Sequence, residues 1–183
     1  IPFLFLLRRT LEETPAFLAM KKHPTASEVF ASAAANWKII VLGMMLAAMT
    51  TVTFYFVTVY TPTFGKSVLK LSTQDALLVT LLVAVTNFFW NPVGGAVSDR
   101  IGRKPVLVTI ATLSLLTAYP ALHWLVADPS FGKLLAVEMM FSFYFGVYSG
   151  TMLGALVEVV PAHVRTTCFS LAFALAAGLF GTF

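Results

Sequence analysis

The chain has 183 residues, 58% hydrophobic and 11% charged, with a mean hydropathy of +0.87 and a formal net charge of +4. Soluble domains carry about 45–50% apolar and about 25% charged residues, so this composition excludes a water-soluble globule and makes lipid the solvent. Cys168 is the only cysteine, which excludes an internal disulfide and a cysteine-based metal site, and no cofactor is expected.

In chain order, the opening IPFLFLL (residues 1–7) reads as the end of a membrane helix. It does not read as a signal peptide, because no basic stretch precedes it and Arg8 and Arg9 follow it. Residues 8–36 are polar and of mixed charge, with a short helix expected after Thr10 and a cap at Thr25 or Ser27 ahead of Glu28. Residues 37–183 are expected to fold as an all-α transmembrane helical bundle. Charges punctuate it. Lys38 and Lys66, Asp75 and Asp99, and Lys104 and Asp128 each bracket an uncharged run. A fourth run between Lys133 and Glu158 is broken only by Glu138, and a fifth follows Arg165. Crossing about 30 Å of hydrocarbon takes roughly 20 helical residues, so helices are expected over 37–64, 74–97, 104–126, 133–159 and from 165 onward. Outer-membrane strands would give alternating segments of about ten residues, and these runs are continuous. Neither the first helix nor the last is anchored at both ends, so the chain is expected to be a piece of a larger membrane protein.

Threading the chain through these helices puts Arg8, Arg9, Lys21, Lys22, Lys38, Arg100, Arg103, Lys104 and Arg165 on one side. Only Lys66, Lys70 and Lys133 fall on the other. That bias assigns the first group to the cytoplasmic face, and the positive charge reflects topology rather than a nucleic-acid partner.

Two motifs carry more than topology. Gly95, Asp99, Arg100, Gly102, Arg103 and Lys104 follow the spacing G-x-x-x-D-R-x-G-R-K in the turn between the second and third expected spans. A plain positive-inside loop needs the basic residues but neither the aspartate nor the ordered glycines. One hairpin later, Glu158, Pro161 and Arg165 follow E-x-x-P-x-x-x-R. The first pattern resembles the signature loop of the major facilitator superfamily, and the second resembles the corresponding pattern of sugar and organic-acid porters. RRTLEETPAFL resembles the segment after the family's sixth helix, with Pro15 as its only retained proline. Further likeness at Met49–Ser72 and Val164–Ala176 resembles the metabolite–proton symporter branch, and within it the enterobacterial citrate and tricarballylate carriers.

The resemblance implies the C-terminal half of that fold. Residues 1–7 would be the end of the sixth helix, 8–36 the cytoplasmic central loop, and 37–183 helices seven to eleven, stopping before the twelfth. It implies proton-coupled symport of a tricarboxylate by alternating access across the bacterial inner membrane. Related carriers take ketoglutarate, proline or betaine, or shikimate. The implied partners are a small organic anion, a proton, the lipid bilayer, the N-terminal six-helix half and the twelfth helix.

The first span is rich in hydroxyls: Thr50, Thr51, Thr53, Tyr55, Thr58, Tyr60 and Thr61. They surround the helix, so some must back-bond to their own carbonyls, but Thr53, Val57 and Tyr60 read as a cavity-lining row. Asn87 and Asn91 share a face beside Trp90 and must avoid lipid, through an interhelical hydrogen bond or a substrate contact. Gly146, Gly150 and Gly154 form a small-residue packing seam, with Tyr144 and Tyr148 alongside, within reach of a cavity. Glu138 lies about one turn from Lys133, in a hydrated interfacial position or as a proton-coupling group. His123, near Pro120, is expected at an interface. No basic residue lies deep in a span, so a tricarboxylate would find its charge partners elsewhere in the protein. A carrier for a zwitterion would instead use an aromatic cage, for which Tyr55, Tyr60 and Trp90 are available. An intramembrane enzyme would need a nucleophile–base pair or metal motif, and a channel would need a filter loop; the sequence offers none of these. Finally, Arg103 is expected to pair with Glu158 as a cytoplasmic latch with Arg165 nearby, leaving Asp99 to cap a helix end, one that the family resemblance places in the N-terminal half.

Overall fold

The computed structural model describes residues 34–160 and 165–181, together with Ser27 and Ala31. The expectations for residues 1–26, for Glu28 and for Pro161 lie outside the described residues. Ser27, Ala31, Ala34 and Ala35 belong to a unit of residues 1–35 and are helical; residues 36–183 form a second compact unit.

Apart from short connections, the described part of that second unit is helical. The first span, Trp37–Ser67, is α1 (Trp37–Phe54), a π-helical segment (Tyr55–Tyr60) and α2 (Thr61–Ser67) in unbroken succession. Then come α3 (Thr73–Ile101), α4 (Arg103–Ala127), α5 (Phe131–Val159) and α6 (Arg165–Phe180). Among the described residues, the first span, α3, α4 and α5 are long and apolar enough to cross a membrane, while α6, with 16 residues, is shorter.

Local chemistry sets the ends. Ser72 caps α3 by accepting from the Asp75 N–H at 3.0 Å, and its hydroxyl donates to the Asp75 carboxylate at 2.7 Å, a reciprocal cap at the positive end of the helix. Ser130 does the same for α5 through the Lys133 N–H at 3.3 Å. Between α2 and α3 the chain turns through Lys70 at φ 56°. α3 runs four residues past its expected end, because Gly94 and Gly95 are interior helix positions packed against α5 and not turn residues. The turn itself is Gly102 alone, at φ +97°, whose N–H bonds the Ser98 carbonyl at 2.9 Å. Only glycine takes that backbone without strain.

The π segment has an identifiable cause. Pro62 has no N–H for the helical ladder, and just before it both the N–H and the hydroxyl of Thr61 go to the Phe56 carbonyl, the latter at 3.0 Å. An i→i+5 turn holds one residue more than an α turn, so side chains beyond it leave the face they would otherwise share. The row Thr53–Val57–Tyr60 is broken accordingly: Thr53 and Val57 are buried, whereas Tyr60 is 45% exposed.

α5 is the central helix, packed against α3, α4 and α1, while α6 packs on α1. Its buried face runs from Leu134 to Leu156. The seam of glycines draws α3 in: Gly146 lies under the Trp90 Cβ, Gly150 under the Asn91 carbonyl, and Gly94 of α3 lies on the Val147 backbone. Large apolar side chains such as Phe88, Leu115 and Tyr119 point outward, as lipid-facing positions do.

Candidate functional site

Three features stand out from the apolar bundle, beside one isolated buried carboxyl. The first is centred on Arg103, the first residue of α4. Its Nε and Nη2 each donate to Glu158 Oε1 at 3.1 Å, and Nη2 lies 2.5 Å from Asp99 Oδ1. Nη1 reaches Ser98 Oγ and, at 3.4 Å, the Gly95 carbonyl. A rigid fork of donors suits such a set of acceptors. Gly154 makes room for it, since a side chain there would meet the guanidinium. The expected Arg103–Glu158 pair is present, but Asp99 is not left over: one helical turn before Arg103, it pairs with the same guanidinium. Arg165 does not join them. Its Nε donates to the Val160 carbonyl at 3.3 Å and closes the end of α5. Arg100 and Lys104 are exposed.

The second constellation lies between α3 and α5. The buried Ser142 hydroxyl is 2.8 Å from Asn87 Oδ1, 2.8 Å from Thr86 Oγ1 and 3.4 Å from the Val83 carbonyl. One turn on, Asn91 Nδ2 donates to the Asn87 carbonyl at 3.2 Å, beside Pro92, which has no N–H to give to Phe88. Asn87 thus makes an interhelical hydrogen bond. Replacing Ser142 with alanine removes a partner from two polar groups at once, and an unsatisfied buried group costs about 1–3 kcal/mol. A lower melting temperature in detergent, with membrane insertion retained, is expected and can be read by thermal-shift fluorescence.

On α5, Glu138 is wholly buried and neither carboxyl oxygen has a hydrogen-bond partner. The hydrated interfacial position open to it in sequence is therefore wrong. Lys133 reaches away, to Asp128 at 2.9 Å and over the Trp124 ring at 5.2 Å, while α5 turns Glu138 inward.

The third feature is a groove of about 570 Å³ beside the π segment, where Tyr55 and Tyr60 meet Val52, Phe56, Val59 and Phe180. Of the eight cavity candidates only these two tyrosines line it. The other six lie in helix interfaces: Thr53 is buried, and Trp90 meets Phe143 edge-on at 4.8 Å. Tyr144 meets Thr117 Oγ1 at 3.1 Å, and Tyr148 donates to the Leu46 carbonyl at 3.2 Å. Asn87 and Asn91 are bonded as above. His123 is exposed beside Tyr119, their rings 6.1 Å apart. Sequence reasoning missed Ser98, Thr86, Ser142 and the π segment. Two signals pointed that way: Ser142 stands four residues after Glu138, on its helix face, and Pro62 interrupts the first span.

The family model for the Major Facilitator Superfamily matches residues 1–183. Among individual proteins, the chain is 56% identical over 181 residues to a citrate-proton symporter of Salmonella typhi, covering 99% of this chain and 42% of that protein. It is 55% identical over 183 residues to the citrate-proton symporter of Klebsiella pneumoniae, covering 100% and 41%. A proline/betaine transporter of Escherichia coli strain K12 is 28% identical over 189 residues, covering 94% and 37%. The chain thus spans about two fifths of the length of these two citrate-proton symporters. No solved structure matches it.

Proposed function

Since this chain belongs to the Major Facilitator Superfamily, we propose that it forms one helical bundle of a proton-coupled citrate symporter in the bacterial inner membrane. The observation that carries this reading is the 55–56% identity to two citrate-proton symporters across the whole chain, twice the 28% to a proline/betaine transporter. Its relatives are transporters, not enzymes.

Alternating access needs two bundles that rock about a site near the bilayer midplane. This bundle offers that site hydroxyls and aromatic faces, Tyr55 and Tyr60 above all. Citrate carries several negative charges, and the described spans hold no basic side chain away from their ends. The arginine or lysine that neutralises citrate comes from outside this bundle, and the groove beside the π segment contributes hydroxyl and ring contacts. The Arg103 cluster acts as a latch on the cytoplasmic side, as the distribution of basic residues indicates. It favours the outward-open state and breaks when that side opens.

The test is uptake of labelled citrate by the full-length carrier in proteoliposomes with an inward proton gradient. Unlabelled citrate or tricarballylate is expected to compete; ketoglutarate, proline and betaine in large excess are expected to leave uptake unchanged. Competition by proline or betaine equal to that by citrate would replace this reading with the zwitterion carrier. Cysteines placed at 66 and 100 should label from opposite faces.

A further inference from the structure

Glu138 belongs neither to the latch nor to the groove, and nothing described so far uses it. Its carboxyl is sealed from water with no donor on either oxygen. Among the described residues, the surrounding elements bring no charge to it. From α2 the Thr61 hydroxyl lies beside the carboxyl, but its own hydrogen bond is donated to the Phe56 carbonyl at 3.0 Å. From α3 come the neutral Thr86 and Asn87, tied to Ser142 on the same face of α5. Lys133, earlier on α5, is held by Asp128 and Trp124, and on α4 His123 and Tyr119 are exposed with their rings together.

Resting on the symport reading above, we propose that Glu138 binds the co-transported proton and that its ionisation works the π-helical joint of the first span. The joint lies next to it. Thr61 is itself buried, and its hydroxyl donates to the Phe56 carbonyl, closing the π turn that presents Tyr55 and Tyr60 to the groove. While Glu138 is protonated, that bond stands. When the proton leaves for water, the carboxylate becomes the stronger acceptor, because charge-assisted hydrogen bonds exceed neutral ones. The Thr61 hydroxyl turns to it and the π turn loses a support. Relaxing a π turn to α shifts the residues on one side by about one position, ~100° around the helix axis, which moves the two tyrosines against the groove. The only covalent change is the O–H bond of Glu138, formed with a proton from water on one side and broken to water on the other.

The decisive variant is Glu138→Gln, which keeps the shape of the protonated acid and cannot ionise. In proteoliposomes of the full-length carrier, a gradient of about one pH unit drives roughly ten-fold accumulation per coupled proton. Wild-type protein is expected to show citrate-driven proton movement and accumulation of that order. E138Q is expected to lose both and stop at equilibration, while citrate–citrate exchange stays at the wild-type rate. Wild-type protein with no citrate-coupled proton movement overturns the symport reading, and this assignment with it. Coupled proton movement in E138Q, or loss of its exchange at normal abundance, overturns the assignment alone. Should E138Q not reach the membrane, Glu138→Asp decides: a displaced pH profile of uptake upholds the assignment, and an unmoved profile overturns it.

Discussion

Gly150→Leu is expected to remove the folded carrier from the membrane altogether. A Cβ at this position overlaps the Asn91 carbonyl oxygen and crowds the Gly95 nitrogen, both of them backbone atoms of α3. A flexible side chain could swing aside; a helix backbone cannot. α3 and α5 would have to part, and with them would go the Thr151 hydroxyl bond to the Gly94 carbonyl at 3.2 Å and the Ser142–Asn87 bond at 2.8 Å. Ordinary overpacking of a core costs about 1–3 kcal/mol, and separating two central helices exceeds that, against a typical total stability of about 5–15 kcal/mol. The control is Gly132→Ala at the start of α5, where an added Cβ meets nothing within 4 Å. Its abundance and melting temperature should match or slightly exceed the parent's. Wild-type amounts of monodisperse G150L by fluorescence-detected gel filtration would show that the helices do not approach as described.

The second large effect concerns the arginine at the start of α4. Arg103→Ala should lower uptake by about ten-fold or more, the size of one decade in a conformational equilibrium, with protein abundance held. Arg103→Lys should do little better. One ammonium cannot serve Glu158, Asp99, Ser98 and the Gly95 carbonyl from a single point, as the guanidinium does. Glu158→Gln keeps the arginine and its contacts on α3, so a smaller loss is expected. In each variant a cysteine reporter on the cytoplasmic side should become more accessible, because a latch holds one state closed. Equal transport by R103A and the parent would reduce the cluster to a signal for topology.

The spans, the signature turn and the Arg103–Glu158 pair were legible because each leaves a mark in one dimension: a gap between charges, or a fixed spacing of glycines and ions. What escaped was set by partners distant in sequence or by backbone geometry. Asp99 and Glu158 both suit Arg103, and the choice between sharing and releasing one depends on where α3 ends. That end moved because Gly94 and Gly95 answer to α5, 50 or so residues away, and not to the turn beside them. Thr53, Val57 and Tyr60 were read as one row because a period of 3.6 was carried through a segment that Pro62 and Thr61 wind differently, which leaves Tyr60 at the groove and the other two buried. Glu138 was read from its nearness to Lys133, but the two side chains point to different surroundings. Ser142, an ordinary serine in an apolar run, became significant only when α3 brought Thr86 and Asn87 against it.

The one-residue connection at Gly102 has a consequence for how the chain moves and is handled. Two membrane-length helices joined by a single amino acid have no slack between them, so α3 and α4 move as one hairpin. The same shortage of chain denies a protease any extended stretch to grip and denies a fusion tag any room. A nick or an insertion there would also separate Arg103 from Ser98 and Asp99, so the covalent hairpin and the ionic cluster would be lost together.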